Sequence, residues 1–186
     1  FFPSPGNNGL FRYFSGLIEA VGSDDLKICL YHIPQNTGVG ISPELTQQLN
    51  EAFPQTVVAY KDSSGNWDNT QSVIKSAPGV SVFPASEVLI PDATDLGAGG
   101  CISATCNVNV AQIKRVFQAA QSRDREVIEV EMPSLIKLRL AVQAAGLIPA
   151  LKSIKAHVTG DQRWLNTRAP LLNAKAVIGK ELAALH

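Results

Sequence analysis

A strand-like run followed by a helix-like run recurs about every 20–30 residues over the first two-thirds of the chain, and this beat restricts the fold more than any other feature. Asn8 to Val21 sets Leu10, Phe14, Leu17, Ile18 and Val21 on one helical stripe that Gly22 closes. KICLYHIP at 27–34 reads as a short buried strand stopped by proline. In SPELTQQLNEAF, Ser42 is an N-cap, Pro43 the first helical residue and Glu44 a first-turn acid, a strong helix start. TVVAYKD at 56–62 is a second strand, and Asn66 to Ala77 a helix with Val73 and Ile74 inward. VSVFPAS at 80–86 gives a third strand, Val88 to Leu96 a short helix, and GCISATC at 100–106 a fourth strand. Strands of such continuous apolar character belong to a parallel sheet covered by helices.

After Asn107 the pattern changes: Val110 to Ala120, Arg125 to Ala145, Pro149 to His157 and Ala169 to Leu185 all read as helices. The second of these is too apolar for a lone surface helix and is expected to pack on both sides or against another subunit. A division into residues 1–121 and a helical extension at 122–186 follows. An open doubly wound sheet is disfavoured because no G-x-G-x-x-G follows a strand. The alternative is a (β/α)8 barrel, which needs eight strands and about 250 residues. Four strands in 186 residues therefore predict an α/β chain that forms the C-terminal half of a TIM barrel, followed by a C-terminal helical bundle. The opening FFPSPGNNG reads as a loop leaving a buried strand, so the sequence is expected to start in the middle of a fold.

The sixteen basic and sixteen acidic residues cancel, and no Lys/Arg run carries interleaved aromatics. Nucleic acid and anionic membrane are therefore not expected partners, and a small molecule is. Cys29, Cys101 and Cys106 are odd in number and lack CxxC spacing, which predicts buried free thiols in a reducing, cytoplasmic compartment rather than disulfides or a zinc site. No apolar run approaches the ~20 residues of a membrane span, and the opening lacks the pattern of a signal peptide. No motif calls for a cofactor or a metal.

Chemistry in a barrel collects at the carboxyl ends of the strands. Those ends hold Tyr31 with HIPQNTG, Lys61 with DSSG, Pro84 to Ser86, and then Ser103, Thr105 and Asn107. A lysine at a strand end is ordinarily a solvated surface residue. Here Val57, Val58 and Ala59 precede it, and poor solvation of the ammonium form leaves more neutral amine to attack a carbonyl and form a Schiff base. The iminium is then an electron sink for breaking or making the adjacent carbon–carbon bond. Tyr31 suits the proton transfers of carbinolamine formation and collapse, although a strand aromatic can equally fill a barrel interior. No carboxylate pair, HExxH or GxSxG is present. Asp62 reads as orienting its turn, His32 lies on the opposite strand face from Tyr31 and reads as structural, and His157 and His186 fall in the helical tail.

These segments resemble a known family. YHIPQNTG is similar to Y-N-x-P-x-R-T-G, VVAYKDSSGN to G-x-K-[DE]-[ST]-[ST]-G-[DN], and GAGGCISATCN to G-A-x-G-x-I-S-x-x-x-N of the dihydrodipicolinate synthase / N-acetylneuraminate lyase family. ALKSIKAH and then RAPL at 168–171 resemble the tail of that family, so the likeness spans essentially the whole chain. It implies a class I aldolase or synthase acting on pyruvate or another 2-oxo acid and an aldehyde, without a cofactor, on a TIM barrel with C-terminal helices, and assembled as a homotetramer or dimer. The strands present would be the fifth to eighth. Lys61 would form the Schiff base, Tyr31 would relay protons, and Ile102, Asn36 and Thr37 would contact substrate. The family's threonine pair and interface tyrosine belong to strands preceding Phe1, so these residues alone would form half a barrel with an exposed sheet edge and no activity. Asn36 stands where dihydrodipicolinate synthases and neuraminate lyases carry arginine, whose bidentate charge asparagine cannot replace. Relatives resembling 4-hydroxy-2-oxoglutarate aldolase have N-T-G there, which makes that substrate an alternative. A non-catalytic 2-oxo-acid-binding member is a further one.

Overall fold

The computed structural model describes residues 4–185, which fall into two compact units, Phe1–Ile102 and Ser103–His186. The sequence-based division after residue 121 lies at the end of a helix, Cys106–Ser122, within the second unit.

In the first unit helix and strand alternate as α1 (Gly6–Val21), β1 (Ile28–His32), α2 (Pro34–Thr37), α3 (Pro43–Ala52), β2 (Val57–Asp62), α4 (Trp67–Ser76), β3 (Ser81–Pro84) and α5 (Ile90–Asp95). The three strands pair in the order β1-β2-β3, all parallel, with a helix in each crossover as parallel neighbours require. Local chemistry sets the helix starts. Ser42 Oγ accepts the Leu45 N–H at 3.1 Å ahead of Pro43. Asn66 caps α4 rather than joining it, accepting from the Asp68 and Asn69 N–H groups at 3.0 and 3.3 Å. Leu30, Leu45, Leu49, Val57, Tyr60, Val73 and Val82, each at most 1% exposed, form the core beneath the sheet. Burying each such side chain contributes about 1.5–3 kcal/mol.

Four expectations are revised in this unit. No strand forms at residues 100–106. The Gly99 N–H donates to Val82 O at 3.0 Å and the Ile102 N–H to Pro84 O at 3.1 Å, so the chain runs beside β3. It does so through Gly97 and Gly100 at φ 98° and 139°, a backbone that cannot hold a strand, and a helix begins at Cys106. The cysteines are not buried as expected: Cys29 is exposed, lying on the sheet face that the helices of this unit do not cover, and Cys101 and Cys106 are half-buried. The PSPGNNG stretch is helical from Gly6; residues 1–3, like His186, lie outside the described residues. Finally, an irregularity between Ile28 and Cys29 pairs them with Val57 and Ala59, leaving Val58 as the extra residue. Val57 therefore sits in the core with Tyr60, and only Ala59 of the three preceding residues shares the face of Lys61.

Regular structure described in the second unit is helical: α6 (Cys106–Ser122), α7 (Arg125–Ala144), α8 (Leu147–Thr159) and α9 (Ala176–Ala183) with a short 3-10 turn at Gln162–Leu165. Leu138, Val142, Ala150, Leu151, Ile154 and Leu182 make its core. A Cβ on Gly179 would collide with the Ser153 carbonyl, so glycine there lets α9 lie against α8. α7 buries Leu135, Leu138 and Val142 while Val130 and Leu140 remain 72% and 58% exposed, so one stripe of its apolar surface is used within the unit. The continuous helix expected at 169–185 is shorter, because Pro170 has no N–H to offer and Asn173 Oδ1 accepts from Thr167 N at 3.1 Å, folding the preceding stretch as a loop. Among the described residues no single helix is long and apolar enough to cross a membrane.

Candidate functional site

Parallel pairing brings the two proposed chemical residues together: Tyr31 at the end of β1 is the register partner of Lys61 near the end of β2, which in turn pairs with Phe83 on β3. Residues Cys29, Tyr31, Ala59, Lys61, Ser81 and Phe83 share the sheet face turned away from the helices. Lys61 Nζ lies 4.1 Å from the centroid of the Tyr31 ring, a contact that holds the amine over the phenol. Tyr31 is 47% exposed and Lys61 half-buried, so a ligand can reach both. Its interaction with the Ser63 side chain, and secondly with Lys61, lowers the Tyr31 phenol from its ordinary pKa, the direction that eases proton transfer. Although Cys29, on the same face, is exposed as a residue, partial desolvation of its thiol by the surrounding sheet raises the thiol pKa against the opposing pull of Lys61, which makes it a poor competitor as nucleophile. Gly99 borders this face: a Cβ there would lie 3.1 Å from Phe83 Cζ.

A buried polar network lies on the other face. Asp62, 4% exposed, accepts from Ser64 N at 2.9 Å, Ser64 Oγ at 2.6 Å, Asn69 Nδ2 at 2.8 Å and Thr70 Oγ1 at 2.8 Å. Asn69 also donates to Tyr60 Oη at 3.2 Å, and Tyr60 Oη donates to Ile41 O at 2.9 Å. The Ile41 N–H donates to His32 Nδ1 at 3.0 Å, and the His32 and Tyr60 rings stack with centroids 5.8 Å apart. Strand alternation thus places Lys61 and Tyr31 outward and their neighbours Asp62 and His32 inward, where the network fixes both strand ends. Asp62 and His32 take the orienting and structural places read from the sequence. Sequence reasoning did not single out Tyr60, Ser63, Asn69 or Thr70; the K-D-S-S run and the Asn66 cap were the signals that lay nearest to them.

The remaining candidates are placed less centrally. Thr37 spends its hydroxyl locally, donating to Val39 O at 2.7 Å, while Asn36 is exposed and its side chain makes no hydrogen bond among the described residues. Gln35 ties the α2 turn to the lysine loop through Nε2 to Ser63 O at 2.7 Å. Ile102, 41% exposed, is held by its N–H at the end of β3. In the second unit Ser103 Oγ lies 2.9 Å from Thr105 Oγ1 and accepts from Arg139 at 3.1 Å, and Asn107 donates to Ala104 O at 2.9 Å. His157 is exposed. Among the described residues no group of three His, Cys, Asp or Glu could hold a metal ion.

The His32 contact makes stability depend on pH. Burial lowers the imidazole below its ordinary 6.5, so the unfolded chain takes up the proton before the folded one does. The His32 contribution is therefore intact above pH 6.5 and declines as the pH falls below it. Denaturant titrations at several pH values should show this decline in the wild type and a shallower one in His32→Gln; equal slopes would refute it.

Residues 1–185 match the dihydrodipicolinate synthetase family. The chain is 32% identical over 182 residues to an uncharacterized DapA-like lyase of Chloroflexus aurantiacus, covering 97% of this chain and 58% of that protein. It is 30% identical over 126 residues to the 4-hydroxy-tetrahydrodipicolinate synthase of a Hydrogenobaculum species, covering 68% of this chain and 42% of the relative. Among solved structures, dihydrodipicolinate synthase from Agrobacterium tumefaciens aligns with a TM-score of 0.83 and 28% identity over 100% of this chain and 61% of its own. N-acetylneuraminate lyase from Fusobacterium nucleatum shares the fold, with a TM-score of 0.80 at 22% identity over 100% of this chain and 62% of its own. The chain spans about three-fifths of the length of the DapA-like lyase and of these two solved enzymes.

Proposed function

The chain belongs to the dihydrodipicolinate synthetase family, and from that premise we propose that it carries the covalent half of a Schiff-base lyase site acting on pyruvate or a related 2-oxo acid. The observation that carries this reading is the register pair Tyr31 and Lys61, with the amine 4.1 Å from the ring centroid. In its neutral form Lys61 attacks the 2-oxo carbon to give a carbinolamine. Loss of water, with a proton passed through Tyr31, gives the iminium, which accepts the electron pair when the bond beyond C3 breaks. Run in reverse, the enamine adds to an aldehyde. Asp62 and its donors hold the lysine strand, and Ile102 borders the 2-oxo acid. In this reading the three parallel strands and the segment through Ile102 form the carboxyl half of a (β/α)8 barrel. A cytoplasmic homotetramer or dimer belongs to the same proposal, and the exposed Val130 and Leu140 of α7 suit a subunit contact.

Dihydrodipicolinate synthase-like condensation of pyruvate is the leading form. Asn36 favours a second one, cleavage of 4-hydroxy-2-oxoglutarate to pyruvate and glyoxylate, because Asn36-Thr37-Gly38 matches the N-T-G that relatives resembling 4-hydroxy-2-oxoglutarate aldolase carry in place of the arginine motif. The test, made on a protein that also supplies the barrel strands preceding these residues, is turnover of pyruvate with aspartate semialdehyde, and cleavage of 4-hydroxy-2-oxoglutarate and of N-acetylneuraminate. Activity with at least one supports the proposal and selects the form. A 2-oxo acid bound tightly without carbinolamine chemistry would instead support a non-catalytic binding protein. Tyr31→Phe is expected to lower kcat about 10²–10⁴-fold with KM little changed. A loss confined to KM would remove Tyr31 from the proton relay.

A further inference from the structure

A cavity of about 320 Å³ opens in the helical unit, between the start of α6, the flank of α8 and the Gln162–Leu165 turn. Its charged lining consists of Lys152 and Lys155. These residues are one turn apart on α8, both half-buried, and neither has a carboxylate partner within 4.0 Å among the described residues. Like charges at this spacing repel, and partial burial weakens their screening by water. A concave site with two such ammonium groups therefore attracts anions.

The remaining wall identifies the kind of anion. Ile148 and Leu151 are apolar, and Trp164 presents its ring with Lys152 Nζ 5.6 Å from the centroid. Asn107 adds an amide that has one N–H committed to Ala104 O at 2.9 Å. An inorganic anion would satisfy the lysines and leave the aromatic and aliphatic walls uncovered, whereas a planar carboxylate pairs its charge with the lysines and its body with Trp164. We infer that this cavity is a binding site for a small aromatic carboxylate, held by Lys152 and Lys155 against Trp164. It is separate from Lys61 chemistry and does not depend on the proposed reaction.

Benzoate is the probe, read by Trp164 fluorescence in a Trp67→Phe background of the full chain, with inorganic phosphate and cyclohexanecarboxylate for comparison. Saturable quenching by benzoate is expected, weakened about three- to tenfold by Lys152→Gln and again by Lys155→Gln, and reduced by salt. Lys61→Ala should leave it unchanged, which separates this site from the lyase site. Phosphate binding as tightly as benzoate would overturn the aromatic assignment. Absence of saturation, or saturation indifferent to both lysines, would overturn the site.

Discussion

A Lys61→Arg protein is expected to fold, to keep a positive charge beside Tyr31, and to lose turnover by on the order of 10⁴-fold or more, because a guanidinium stays protonated and cannot become an imine-forming amine. The size of the effect follows from covalent catalysis. If Lys61 served only to attract the carboxylate of a 2-oxo acid, arginine would do that at least as well, and the loss would appear as a modest change in KM. The same position therefore distinguishes a nucleophile from a cation. Lys61→Ala removes both roles and should match the arginine variant in kcat while binding the 2-oxo acid more weakly. An arginine variant with activity near that of the wild type would eliminate iminium chemistry at this residue.

Asp62→Ala is the change expected to damage the fold most, at about 3–5 kcal/mol, because it strands several buried donors at once. The carboxylate receives hydrogen bonds from the Ser64 backbone and hydroxyl, from Asn69 and from Thr70. Alanine leaves these groups facing a void next to the fully buried Tyr60. Asp62→Asn keeps the shape but turns an N–H toward at least one donor, so an intermediate loss is expected. Urea titration measures both, and a drop below about 1 kcal/mol for the alanine variant would show that water replaces the carboxylate without cost. Since Lys61 is the preceding residue, the alanine variant should also lose activity under conditions where it remains folded.

Much of the first unit is legible from short-range chemistry. Ser42, Pro43 and Glu44 announce α3 because a cap, a fixed φ and an acid near the helix start are local effects. Lys61 and Tyr31 are legible only jointly: each is an ordinary strand residue until parallel pairing makes them neighbours. What escapes the sequence depends on distant partners. The irregular register at Cys29 decides that Val57 enters the core and that Ala59, not Val57, flanks Lys61. GCISATC has strand-forming letters, but glycine φ values and a helix start at Cys106 govern its path. Cys29 looks like a buried thiol because its strand is apolar, yet burial depends on which sheet face is covered. The Asp62 network joins residues from four separate segments, and no spacing rule reveals that Tyr60 Oη reaches Ile41 O.

The central claim is that Lys61 is the covalent anchor for a 2-oxo acid, and borohydride reduction in the presence of pyruvate addresses it directly. The account predicts one reduced pyruvate adduct, located by peptide mass spectrometry on Lys61, absent without pyruvate and absent in Lys61→Arg. An unmodified Lys61 at saturating pyruvate, or an adduct on another lysine that survives the Lys61→Arg change, would contradict it.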